Sequence, residues 1–200
     1  MTLYDIKPRF QSLLRPLVRR IDAAGFSANQ ITLAAMFGSI AVGVLISLYS
    51  DNFLVFLLLP VWMFLRMALN AIDGMLAREC QQKSDLGAFL NEISDLVSDA
   101  ALFIPFAFVA PFTPSLIVFI IFLALISEFA GVVAQAIGAS RRYDGPMGKS
   151  DRALVFGALA LWIGVGGSLP SWLFWLLPVM TVLLGITIFN RIKCALSELN

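Results

Sequence analysis

Residues 66–100 read RMALNAIDGMLARECQQKSDLGAFLNEISDLVSDA, a concentration of ionisable side chains flanked by apolar runs. In its first half, Asn70, Asp73 and Ala77 share one helix face through i+3 and i+4 steps. In its second half, Gly87, Asn91, Asp95 and Asp99 recur every four residues and again share a face, with Glu92 three residues before Asp95. Gly74 and Ala77 are small enough to let a ligand or a second backbone come close. A short polar link joins the two halves, so their faces can meet. Up to four carboxylates with two amides and no histidine make a ligand set suited to a hard divalent cation, Mg2+ or Mn2+.

The rest of the chain says where this cluster lies. Of 200 residues, 60% are apolar and 14% charged, against about 45–50% and 25% in soluble domains. Six apolar segments, roughly 31–49, 53–72, 88–110, 115–139, 153–168 and 171–190, each approach the roughly 20 residues needed to cross a bilayer as a helix. The expected fold is therefore all-α and integral to the membrane, with six transmembrane helices. Ahead of them Ile6, Phe10, Leu13, Leu14, Leu17, Val18 and Ile21 recur at helical spacing among Lys7, Arg15 and Arg19, which predicts an amphipathic helix in the headgroup layer. Ser27 with Gln30 forms a capping box that starts the first span, and Phe26 with Ile31 an apolar staple. The domain division is a juxtamembrane helix over 1–26, a six-helix domain over 27–195 and a tail over 196–200.

Charge sets the orientation. Thirteen of the fourteen basic residues fall before the first span, in the second and fourth connections, or after the last span. By the positive-inside rule those regions are cytoplasmic, and so are both termini and the acidic cluster. The exception, Arg66, lies within the second segment, where it either counters the carboxylates or faces a water-filled pocket. Glu128, in the fourth, reads as a buried polar residue. The absence of histidine excludes serine-hydrolase triads and His-ligated metals. Two cysteines are too few for a disulfide framework or an all-cysteine zinc site, and a net charge of +1 does not favour nucleic acid.

From Asn70 to Asp95 the chain reads N-x2-D-G-x2-A-R-x8-G-x3-N-x3-D. This resembles the signature of the CDP-alcohol phosphotransferases, D-x2-D-G-x2-A-R-x8-G-x3-D-x3-D, with every spacing kept and six of eight fixed positions matched. The entry Ser27-Ala28-Asn29-Gln30-Ile31-Thr32-Leu33 also looks like the family's usual opening. The resemblance implies a metal centre at Asp73, Asn70, Asn91 and Asp95. It implies donor binding at Asp73, Gly74, Ala77, Arg78 and Gly87, with Asp95 as the base that deprotonates an acceptor hydroxyl. The implied reaction moves the phosphatidyl group of a CDP-linked lipid, CDP-diacylglycerol, to an alcohol and releases CMP, as in phospholipid biosynthesis. A homodimer in a bacterial inner membrane is implied by resemblance alone.

Asn70 and Asn91 stand where the family carries aspartates, and each removes one negative charge. Glu92 and Asp99 are the candidates to restore it, although Glu92 lies about 100° around the helix from Asn91. For Asp99, hydrogen bonding between helices is an equally open reading. Arg142, Lys149 and Arg152, with Arg191 from the last span, are candidates to hold an acceptor phosphate, and part of that basic cluster follows from the positive-inside bias. Two other functions stay open: a relative that binds CDP-lipid or metal without efficient turnover, and a small solute transporter. The transporter fits poorly, because the carboxylates lie near one surface and not at mid-membrane.

Overall fold

The computed structural model describes residues 3–199, with side chains from residue 10 onward. Among the described residues the chain is helical and contains no strand. Seven α-helices follow one another: α1 (Leu3–Ala23), α2 (Ala28–Leu48), α3 (Leu58–Glu79), α4 (Asp85–Phe103), α5 (Pro114–Ala136), α6 (Lys149–Gly166) and α7 (Leu176–Leu199). Short 3-10 turns at Phe53–Leu57, Ile104–Phe108 and Ser171–Trp175 lead into or out of them. The helices sit where the apolar segments predict and extend past them, because α3, α4, α6 and α7 carry polar residues in their end turns.

Four helical stretches are long and apolar enough to cross a membrane by length and composition: Ala28–Leu48, Phe53–Glu79, Pro114–Ala136 and Ser171–Leu199. The other two expected spans, α4 and α6, are 19 and 18 residues long. They are the helices that carry Asp85, Glu92, Asp95 and Asp99, or Lys149, Asp151 and Arg152, so their hydropathy is diluted by the candidate site itself. Large apolar side chains such as Phe64, Phe122, Val179 and Val182 remain exposed on the spanning helices. Such a surface is compatible with lipid and not with water: this is a membrane protein.

The chain divides into two compact units, one holding the chain through Ala41 together with Val61–Ser98, the other holding Val42–Pro60 and the chain from Asp99 onward. In the first, Gly25 takes a positive φ of 81° to end α1, and the Phe26 N–H reaches back to the Ile21 carbonyl at 3.2 Å. The expected capping box then starts α2: the Ser27 N–H donates to Gln30 Oε1 at 2.9 Å and the Gln30 N–H to Ser27 Oγ at 3.3 Å. Val18, Ala28, Ile72, Met75 and Leu76 form the core of this unit. Two polar ties fasten its edge. Arg15 grips Glu79 through two hydrogen bonds of 2.9 and 3.0 Å. Gln82 accepts from the Ala28 N–H and donates to Asp22 Oδ1, both at 2.7 Å.

In the second unit α5 packs on α7, and α6 packs on the Phe53–Leu57 turn. Phe103 stacks on Phe156 with ring centres 4.0 Å apart, and Phe106 contacts both Phe56 and Phe156. Gly43 lets α2 and α4 touch: a Cβ there would lie 2.1 Å from the Ala101 carbonyl oxygen. At Gly185 in α7 a Cβ would meet nothing within 4 Å. Gly43→Ala is therefore expected to cost about 1–3 kcal/mol through forced separation of two backbones. Gly185→Ala should be neutral or gain up to about 1 kcal/mol of helix propensity. Thermal unfolding of the two variants in one detergent checks this, and equal midpoints would refute the close-contact reading of Gly43.

Candidate active site

In the first unit α3 carries Asp73 and α4 carries Asp95, and each acid is met by a side chain from another helix. Asp73 is 5% exposed, among the apolar neighbours Ile72, Met75 and Leu76. A carboxylate in that setting needs a donor, and α2 supplies one: Thr32 Oγ1 lies 2.8 Å from Asp73 Oδ2. The same hydroxyl lies 3.1 Å from the Ala28 carbonyl, and its single hydrogen goes to the nearer, charged acceptor. Four residues separate Ala28 from Thr32, so the start of α2 places the hydroxyl at this depth.

Asp95 is met from α3 by two donors. Arg66 Nη2 lies 2.9 Å from Asp95 Oδ1 and 3.3 Å from its backbone oxygen. Asn70 Nδ2 donates to the same Oδ1 at 3.2 Å. The Arg66 side chain is 8% exposed and that of Asp95 is 29%, so the arginine of the pair is buried and its carboxylate is partly exposed. Arg66 and Asn70 are one turn apart on α3, which lets them converge on one oxygen. Of the two readings of Arg66, countering the carboxylates is the one realised.

The remaining positions of the stretch have neighbours of their own. A Cβ on Gly74 would lie 3.0 Å from Arg78 Nη2 and 3.2 Å from Nη1: the Arg78 guanidinium folds back one turn over the bare glycine. A Cβ on Gly87 would lie 2.9 Å from Asn29 Oδ1 and 3.1 Å from Ser84 Oγ, so this glycine lets α4 approach the start of α2. Ala77 packs against the Val18–Leu76 core. Glu92 is half-buried and Asn91 is exposed. Among the described residues, no three of His, Cys, Asp and Glu come together as a metal-binding group.

The second unit holds another charged cluster. Arg152 and Arg191 are each 1% exposed. Glu128 Oε1 accepts from Arg152 at 2.9 Å and lies 3.4 Å from Arg191. Arg152 also donates to the Met147 carbonyl at 3.2 Å and lies 3.7 Å from Asp99 Oδ2. Arg191 donates to the Ser127 carbonyl. Two guanidinium groups are thus matched by two carboxylates. Asp99, which shares a face of α4 with Asp95, is thus in ion-pair reach of Arg152 on α6. Arg142 belongs to a third group: it binds both carboxylate oxygens of Asp144 at 2.8 and 3.0 Å and Glu198 at 2.7 Å. Lys149 is half-buried at the start of α6. Of the four residues expected to bind a phosphate, Arg142, Arg152 and Arg191 each meet carboxylates of this unit.

Sequence reasoning passed over Thr32 and Gln82 as site residues. Thr32 was legible as a hydroxyl inside an apolar run; Gln82 carried no signal, because glutamines in polar links are common.

Glu128→Gln would leave two fully buried guanidinium groups sharing one acid, and the loss expected is about 3–5 kcal/mol, read by thermal unfolding. The Arg142 hydrogen bonds hold the Asp144 carboxyl below the ordinary aspartate range. A depressed folded-state value stabilises fully above the ordinary value, about 3.9, and that contribution is lost as pH falls through the folded value. The unfolding midpoint of Asp144→Asn should thus lie below that of the parent at pH 6 and converge on it toward pH 3. A constant gap would refute the pairing.

The family profile described as CDP-alcohol phosphatidyltransferase matches residues 26–189. The chain is 47% identical over 199 residues to inner membrane protein YnbA of Escherichia coli (strain K12), covering 98% of this chain and 97% of that one. The fold is similar to that of Mycobacterium tuberculosis phosphatidylinositol phosphate synthase (PgsA1). With CDP-DAG bound, that structure gives a TM-score of 0.75 at 19% identity, covering 90% of this chain and 92% of the other. In complex with manganese and citrate the score is 0.74, again at 19% identity, covering 92% and 88%. Motif, helical architecture and the match over most of the chain agree: this chain belongs to the CDP-alcohol phosphatidyltransferase family.

Proposed function

We propose that the chain is a phosphatidyltransferase of phospholipid biosynthesis, taking the phosphatidyl group from CDP-diacylglycerol to a polar alcohol or alcohol phosphate. What supports this is the motif spacing that Asp73, Gly74, Arg78, Gly87 and Asp95 keep, with Arg66 and Asn70 of α3 holding Asp95 of α4, in one compact unit of a chain in this family. The CDP-DAG-bound neighbour supports the donor.

Each residue has a part. Arg78, laid over Gly74, reaches the donor diphosphate, and Gly74, Ala77 and Gly87 leave room for the cytidine end. Asp95 takes the proton of the acceptor hydroxyl. The acceptor oxygen bonds to the phosphatidyl phosphorus, the phosphoanhydride bond breaks, and CMP leaves with its electron pair. The manganese-bound neighbour supports a divalent cation, Mg2+ or Mn2+. Mg2+ characteristically needs one or two protein carboxylates, with substrate phosphates and water completing the shell. Asp73, Asp95, Asn70 and Asn91 are the residues that would hold such an ion. When bound, it supplies positive charge against the diphosphate. Arg142, Lys149, Arg152 and Arg191 are the residues proposed for an acceptor phosphate, which at Arg152 would exchange with Glu128.

The membrane setting belongs to the same proposal. Six spans result when α4 and α6, about 27–29 Å long at 1.5 Å per residue, join the four strongly apolar stretches, with their polar ends at the cytoplasmic surface. Helix α1 lies in the headgroup layer, where Leu13 and Leu17 stay exposed. Trp162 and Trp172, in edge contact at 6.4 Å, and the exposed Trp175 suit the opposite interface. The setting proposed is a bacterial inner membrane, with both termini cytoplasmic and the chain a homodimer.

A second reading, a CDP-lipid binder without turnover, is favoured by the two donors already on Asp95 Oδ1. Purified protein with labelled CDP-diacylglycerol, Mg2+ or Mn2+ and a panel of alcohols decides between them. Release of CMP is expected, lowered about 100-fold or more in Asp95→Asn. No release above that variant with any acceptor would overturn the transferase. Thermal stabilisation by donor and metal, lost in Asp73→Ala, would then leave the binder.

A further inference from the structure

We infer that Glu128 sets the acceptor class: its carboxylate holds the seat between Arg152 and Arg191 that an acceptor phosphate would need, so the alcohol taken is one without an anionic group. The inference deepens the reading above and rests on it for the reaction and for the acceptor-side role of the two arginines.

Glu128 lies on α5, Arg152 on α6 and Arg191 on α7, all in the second unit. Glu128 Oε1 accepts from Arg152 Nη2 at 2.9 Å and from Arg191 Nη2 at 3.4 Å, so one carboxylate oxygen joins both guanidinium groups. Neither arginine is placed to turn aside. Arg152 Nη1 donates to the Met147 carbonyl at 3.2 Å, and Arg191 Nη1 to the Ser127 carbonyl. Each arginine is 1% exposed, and the Nε of each is buried without an acceptor. The pair therefore has donors to spare, and Glu128 is the acid that both share. Its own side chain is 12% exposed, so releasing the arginines would leave the carboxylate short of partners and of water.

Two classes of acceptor fare differently in such a seat. A phosphate ester brought beside Glu128 sets like charges together where little water screens them. Put in place of Glu128, it strands a carboxylate within a membrane helix. Asp99, 3.7 Å from Arg152, brings a further negative charge to the same guanidinium. A hydroxyl meets neither penalty, because it can donate to the carboxylate or accept from a guanidinium with the ion pairs intact. A charge set against the wrong partner is a general source of specificity, and here that charge is Glu128.

The test reads phosphate binding and acceptor choice separately, with the full-length protein in detergent. Inorganic phosphate is titrated against sodium chloride of equal ionic strength while thermal unfolding is followed. The parent should show no saturable stabilisation. Glu128→Gln should gain one, binding phosphate at least about tenfold more tightly, the low end for a close charge pair. Glu128→Asp, which keeps the charge, should follow the parent. CMP release from labelled CDP-diacylglycerol with Mg2+ or Mn2+ is then compared within two pairs, glycerol with glycerol phosphate and inositol with inositol phosphate. The parent should favour the unphosphorylated member, and Glu128→Gln should shift toward the phosphorylated one. Saturable phosphate binding by the parent, or a parent that favours the phosphorylated alcohol, would overturn the inference. So would a folded Glu128→Gln that gains no phosphate binding. If that variant does not fold, the parent decides alone, by its response to phosphate and its choice within a pair. Absence of CMP release with every acceptor would refute the transferase, whereas the phosphate titration would still show whether Glu128 closes the seat to anions, so the two failures are distinguishable.

Discussion

A charge removed from water must be met by an opposite charge or a set of donors, because the unpaired group costs several kcal/mol in apolar surroundings. That constraint organises this chain. Arg66 is set on Asp95, Arg152 and Arg191 on Glu128 with Asp99, and Asp73 on Thr32. Each contact links different helices, so the charges that make α4 and α6 poorer spanning segments also define which helices lie together. The glycines act on the same contacts from the steric side. Gly87 admits Asn29 and Ser84 beside α4, and Gly131 leaves a backbone approach to Arg142 and Arg191.

Much of this was legible in the residues, for reasons that are local. Apolar runs of about 20 residues mark helices because every backbone group must be satisfied within the element. The Ser27–Gln30 box is a matter of four consecutive residues, and it forms as expected. The spacing from Asn70 to Asp95 places Asp73 and Asp95 on helix faces, which depends only on 3.6 residues per turn. Partners across elements were less legible. Periodicity puts Asp99 on the face of Asp95, yet Asp99 meets Arg152, 53 positions along the chain. The fate of Arg66 was open between two readings because a long side chain can reach either neighbour. The basic residues at 142, 152 and 191 were legible as charges, but the acids they meet, Glu128 and Glu198 among them, are distant in sequence.

Asn70 shows why residue type alone misleads at such a site. Counted as a substitution of aspartate, it is a loss of charge at a ligand position. In the fold its Nδ2 is a donor to Asp95 beside Arg66, a contact that an ionised aspartate could not make, since a carboxylate only accepts. An aspartate at position 70 would instead set two acids against one oxygen environment and call for a second cation. The amide and the guanidinium therefore suit each other and suit the carboxylate between them.

The two arginines of α3 show how the same side chain is used in two ways. A guanidinium offers a fixed positive charge and hydrogen bonds in a plane. Arg66 is buried and spends both on α4, meeting the Asp95 carboxylate and its backbone oxygen. Arg78 is exposed and folds back one turn along its own helix, over a residue with no side chain to obstruct it. A side chain at position 74 would displace that guanidinium, whereas nothing short of separating α3 from α4 would free the other. The first arginine therefore fixes how two helices lie together, and the second is held by its own helix alone.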